Sequence, residues 1–118
     1  MNSKFEHLQA VLSRHESALA QEDAAGVASE YDPNAILIVN GETFVGRDAI
    51  QSFYEQLIKQ LPKASWATDR ACFAEDMAYV EWSCRAERVR VPQGVDTFVV
   101  GPSGIERQTA WFSVISIS

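Results

Sequence analysis

Two titratable residues lie where acid–base chemistry could use them. His15 falls on an apolar stripe formed by Phe5, Leu8, Leu12, His15 and Leu19, at a position where a plain core would carry leucine. A neutral imidazole both donates and accepts a hydrogen bond, and it titrates near neutral pH. On this helix it is either a polar contact on a pocket wall or a core histidine bonded to a carbonyl. Asp96 follows the Pro92-Gln93-Gly94 break. In an apolar site its carboxyl would be raised toward neutrality and could serve as an acid or base. Otherwise it is a solvated residue at a strand start.

Other chemistry-bearing residues point to less. Arg85, Arg88 and Arg90 have guanidinium forks that suit carboxylate or phosphate. They also read as a charged strand end that discourages edge pairing. Cys72 and Cys84 are the only cysteines, outside any zinc-type spacing, and are expected as free thiols. His7 and His15 are too far apart on one helix to share a metal unaided. No phosphate loop, Ser/His/Asp set or nucleophile elbow occurs, so no cofactor or metal is expected.

The elements that must position these residues are legible in the pattern. Residues 4–20 show helical spacing. A shorter helix follows Asp23, with Val27 and Tyr31 on its inner side, and Asp32-Pro33-Asn34 stops it. Ala35–Val39, Asn40-Gly41 and Glu42–Val45 spell a hairpin. Gly46-Arg47-Asp48 opens a third helix with Ile50, Phe53, Tyr54, Leu57, Ile58 and Leu61 on its apolar face, ended by Pro62. Beyond it the period changes to two. Strands are expected over Ser65–Phe73, Met77–Val91, Val95–Val100 and Ile105–Ile117. The order α-α-β-β-α-β-β-β-β predicts an α+β fold, a cone-shaped barrel of three N-terminal helices on a curved, mainly antiparallel sheet. Such a cone encloses a pocket.

The chain has 118 residues, 47% hydrophobic and 22% charged, enough for one domain with a real core. The net charge of −6 is concentrated in the first half: residues 1–61 hold nine acids and four bases. An acidic chain without a basic stripe makes nucleic acid and anionic membranes poor partners. No stretch reaches the roughly 20 apolar residues of a membrane span, and no signal-peptide core is present, so a cytoplasmic location is expected.

The Tyr31-Asp32-Pro33-Asn34-Ala35 segment, the hairpin, Gly46-Arg47-Asp48-Ala49-Ile50 with Phe53-Tyr54, and the Gly104-Ile105 to Trp111-Phe112 ending resemble the nuclear transport factor 2-like superfamily. Within it the chain is most similar to the SnoaL-like and ketosteroid isomerase-like branch. The resemblance spans essentially the whole chain and implies the cone-shaped fold, usually dimeric. It also implies where isomerase residues would stand. The carboxylate base falls on Val39 or Asn40, neither of which can abstract a proton, so ketosteroid isomerase activity is expected to be absent or very weak. One proton donor falls on His15 and the other on Asp96, or on Thr97 if the register slips by one.

Three functions remain open on this reading. The first is a pocket for a small, largely apolar organic molecule, lined by His15, Tyr31, Phe53, Tyr54, Leu57, Trp82 and Phe112. The second is an enzyme of isomerase, cyclase or dehydratase type using His15 and Asp96. The third is an assembly domain without chemistry. A homodimer through the outer sheet face is expected, because the charge-free last segment Gln108–Ser118 is apolar on both faces.

Overall fold

The computed structural model describes residues 3–117. It places three helices, α1 (Ser3–Ala20), α2 (Ala24–Ser29) and α3 (Arg47–Gln60), on one side of a strongly curved sheet. The strands are β1 (Tyr31–Val39), β2 (Glu42–Val45), β3 (Ser65–Ala74), β4 (Met77–Arg85), β5 (Val89–Gly101), β6 (Gly104–Phe112) and the short β7 (Ile115–Ser116). Their order is β2-β1-β6-β5-β4-β3, with β7 joined to β5. All pairs are antiparallel except β1 with β6. This is the expected α+β cone.

Local signals explain most boundaries. Asp23 accepts the Gly26 N–H at 3.0 Å and caps α2. Asn40 and Gly41 both take positive φ, +52° and +83°, as a two-residue hairpin turn requires. Arg47 donates from Nε to the Tyr31 carbonyl at 2.7 Å, which ties the start of α3 to the start of β1. Gly104 (φ +113°) cannot be replaced easily: a Cβ there would stand 2.3 Å from the Glu30 carbonyl oxygen, and that same oxygen accepts the Ile105 N–H.

Four expectations need correction. Tyr31 does not end the second helix; it begins β1 and pairs with Ile105. The ladder resumes only at Ile36, and this gap accommodates Pro33, which has no N–H to offer. The long strand Met77–Val91 is two strands separated at residues 86–88. Pro92-Gln93-Gly94, expected as a break, lies inside β5. There the register with β4 shifts, since Trp82 faces Gly94 while Cys84 faces Val91, so the proline sits in a bulge. The last strand is likewise interrupted after Phe112, and β7 rejoins β5 beyond the bulge.

The core lies between helices and sheet: Leu8, Val11 and Leu12 of α1, Val27 of α2, Ile50, Tyr54 and Leu57 of α3, and inward residues of every strand from β1 to β6 except β2 and β3. The outer sheet face carries Ile38, Val45, Met77 and Trp111, all substantially exposed. Cys72 faces Tyr79 across β3–β4 while Cys84 faces Trp66. Five residues of β4 separate those register positions, roughly 17 Å at strand rise, too far to bridge. Both thiols are free. Arg85 and Arg90 pair directly across β4–β5. Among the described residues no helix is long and apolar enough to cross a membrane.

Candidate functional site

A cavity of about 340 Å³ opens between α1, α3 and the concave face of β3–β6. Its size lies near the lower end of small-molecule sites. Each wall follows from one periodicity. Helical spacing brings Leu12, His15, Glu16 and Leu19 of α1 to it, and Tyr54 and Leu57 of α3. Strand alternation brings Trp66, Val80, Trp82, Asp96, Phe98, Gln108, Ala110 and Phe112.

Cross-strand register decides the orientation of Asp96. It pairs with Val80 on one side and Ala110 on the other, and both line the cavity. Thr97 pairs with Tyr79 and Thr109 and takes the opposite face. The aspartate is therefore the inward residue. Gly94 serves the neighbouring position: a Cβ there would fall 2.2 Å from the Trp82 ring, so only glycine lets that indole lie flat over β5. The Trp82 ring centroid is 5.5 Å from that of Trp66 and 5.4 Å from that of Phe112, which makes one continuous aromatic wall.

His15 is buried, with its ring edge-on to Tyr31, Tyr54 and Phe98 at centroid distances of 5.6–5.8 Å. Its Nδ1 has no hydrogen-bond partner, so the ring is not a core histidine tied by Nδ1 to a carbonyl, and no acid lies within hydrogen-bond reach of that atom. Burial lowers its pKa to about 4, so it is neutral at pH 7. Burial also raises Asp96, to about 7, partly offset by the Trp82 indole N–H. The two groups do not close a proper hydrogen bond: Asp96 Oδ1 and Trp82 Nε1 are both buried without partners.

Beside these groups lies a polar cluster that is closed. The Tyr31 and Tyr54 hydroxyls are 2.7 Å apart, and the Tyr31 hydroxyl also donates to Gln108 Oε1. Burial, then the nearby charge, holds both phenols above their ordinary range. At the rim, Thr68 Oγ1 donates to Glu16 Oε1 at 3.2 Å, linking β3 to α1.

Of the residues expected at the pocket, His15, Tyr54, Leu57, Trp82 and Phe112 line the cavity, and Asp96 joins them. Tyr31 and Phe53 do not reach it. Tyr31 is fully buried one layer back, drawn there by its bonds to Tyr54 and Gln108. Phe53 turns away to stack on Phe44 at 5.1 Å. Gln108 carries only a weak signal in the sequence, as one polar residue among several in the charge-free ending. The position implied for a base holds no carboxylate. Val39 is core. Asn40 brackets the Phe112 backbone, donating to its carbonyl and accepting its N–H, each at 3.0 Å. Among the described residues no cluster of acids, histidines or cysteines could hold a metal.

A family model described as the SnoaL-like domain matches residues 12–115. No curated protein matches the chain. Among solved structures, a nuclear transport factor 2-like protein of unknown function from Burkholderia xenovorans superposes with a TM-score of 0.80 at 20% identity, covering 95% of this chain and 87% of that one. The epoxide hydrolase/cyclase-like enzyme SalBIII, of pyran ring formation in salinomycin, has a TM-score of 0.77 at 12% identity, with 92% of each chain covered. A protein of ketosteroid isomerase-like fold from Catenulispora acidiphila, in complex with trimethylamine, has a TM-score of 0.74 at 12% identity, covering 87% and 85%. At these identities the likeness is one of fold.

Proposed function

The chain belongs to the SnoaL-like domain family, and from that premise we propose that its cavity binds a small, largely apolar organic molecule whose polar end meets His15, Trp82 and Asp96. One observation carries this reading. The buried side-chain polar atoms without partners among the described residues are His15 Nδ1, Trp82 Nε1 and Asp96 Oδ1, and all three residues line this one cavity. Folded proteins satisfy nearly all buried polar groups. Three orphans facing one space are what a site shows when its ligand supplies the missing bonds. A vestigial pocket in a pure assembly domain would have no reason to keep them. The trimethylamine held by the Catenulispora acidiphila protein is a molecule of suitable size.

A second reading has one observation in its favour. Asp96 lines the cavity together with His15, and burial pushes its carboxyl up to about 7, the range that suits a group both giving and taking a proton at neutral pH. An isomerase-, cyclase- or dehydratase-type reaction would use it as the proton carrier, with neutral His15 as a polar contact. SalBIII shows that this fold can hold cyclase-like chemistry.

The outer face, with Ile38, Val45, Met77 and Trp111 exposed, is proposed as a homodimer interface. Trp111→Glu should then leave a 13 kDa monomer in sedimentation at high micromolar concentration where the wild type is twice that mass; a monomeric wild type refutes the interface.

The cavity is tested by thermal shift against a panel of small neutral and charged organic molecules, in wild type and in Ala110→Phe, which fills the space with a ring. At least one compound should raise the melting temperature of the wild type and not that of the variant. Equal shifts in both would place binding elsewhere. No shift with any compound would reject the ligand site.

A further inference from the structure

The charge on the cavity wall is of one sign. No lysine or arginine lines it. His15 is neutral at pH 7 because burial holds it down to about 4, and Tyr54, with Tyr31 behind it, is held in the phenol form. The groups that can carry charge there are Asp96 inside and Glu16 at the rim, both acidic. Trp66, Trp82 and Phe112 form the aromatic wall beside them.

A low-dielectric cleft lined by one sign of charge concentrates ions of the other sign, and the whole chain adds a net −6. An anionic ligand would meet no counter-charge. With an uncharged ligand Asp96 either stays protonated, as burial favours, or ionises as a buried charge without a partner, which is costly. A cation removes that difficulty, and aromatic walls attract it a second time through their ring faces. Compact alkylated ammonium ions combine a charge with an apolar carbon shell, and this cavity offers a match for both.

We infer that the ligand is a small organic cation, an alkylated ammonium whose charge lies against Asp96 and whose carbon shell meets Trp66, Trp82 and Phe112. The inference rests on the cavity being a ligand site and adds the class of ligand.

Three probes of one shape test it: choline, its tert-butyl isostere with carbon in place of the ammonium nitrogen, and the carboxylate of that isostere. Calorimetric titration of the wild type should find choline bound at least about tenfold more tightly than the neutral isostere, a ratio within reach of a desolvated cation–π and ion-pair site, and the carboxylate not bound. Asp96→Asn, nearly isosteric, should lose most of that preference. Choline affinity should rise from pH 6 to pH 8, with proton release near pH 7 detected as a dependence of heat on the buffer. The groups that line the cavity with Asp96 include Trp82 and Val80 from β4, Ala110 and Gln108 from β6, Tyr54 from α3, and His15 with Glu16 from α1. Burial pushes the Asp96 carboxyl up to about 7, inside that interval. Equal or tighter binding of the isostere would overturn the cation and leave the ligand site standing. A preference that survives in Asp96→Asn would overturn the role of that carboxylate. If choline fails while another compound of the panel binds, the inference falls alone; if nothing binds, the ligand site falls with it.

Discussion

Two polar clusters lie side by side in this core and differ in one respect. Tyr31, Tyr54 and Gln108 satisfy one another: the Tyr31 hydroxyl contacts both partners, and all three side chains are buried. His15 is as deep, and Trp82 and Asp96 are half-buried, yet each keeps a buried orphaned atom. His15 touches both clusters, since its ring packs against Tyr31 and Tyr54 and its Nδ1 belongs to the open set. The same sheet and helices support the two groups, so packing alone does not explain the difference. A closed network holds the fold together. An open one costs stability, and it persists where something outside the chain completes it.

The largest effect that would sharpen this contrast is hidden in the wild type. Asp96 rises from 3.8 to about 7 in the folded state. The native form therefore holds a proton that the unfolded chain has lost, and stability falls as pH rises from about 4 to 7. His15 drops from 6.5 to about 4, so the unfolded chain holds the extra proton and stability rises between about 4 and 6.5. Each contribution is on the order of 3 kcal/mol, and over their shared interval they oppose each other. Relative to wild type, Asp96→Asn should gain stability steadily from pH 4 to 7, and His15→Leu should lose it over the same range. Denaturant midpoints at pH 4.5 and 7 measure both. Parallel pH profiles for the two variants and the wild type would mean that neither group is desolvated as described.

A smaller effect should come from the closed cluster. Tyr31→Phe removes the hydroxyl that serves Tyr54 and Gln108 and leaves a buried amide short of a partner. Stability should drop by about 1–3 kcal/mol with little dependence on pH below 9. No loss would show that the two clusters are equally dispensable.

The smallest effect is expected for His15→Leu near neutral pH. A polar ring whose Nδ1 has no bond to lose is replaced by carbon, so stability should hold or rise by up to about 1 kcal/mol while ligand binding weakens. Clear destabilisation with unchanged affinity would move His15 into the structural set.

These clusters were unequally legible in the sequence. His15 stood out because helical period is local: five residues place it on the stripe. The helices, the Asn40-Gly41 turn and the cone could be read for the same reason. Asp96 could not be separated from Thr97, because its facing depends on the bulge that absorbs Pro92 and Gln93 and on pairing with Val80, both set by a neighbouring strand. Tyr31 was misplaced for a related reason. Its backbone is recruited by Ile105 near the far end of the chain, and no window around residue 31 contains that partner. Gln108 draws its meaning from two tyrosines that reach it only in the folded state.

The parallel pairing of β1 with β6 also bears on how the protein is made. Tyr31 must find Ile105, and Val39 must find Ala110, across more than half of the chain, and such distant strand pairing is slow to form. During synthesis the helices and the first hairpin leave the ribosome long before Gln108, Ala110 and Phe112 exist to complete the wall. Until then Leu37 and Val39, fully or almost fully buried in the finished molecule, lie on an open strand edge exposed to chaperones and to other nascent chains.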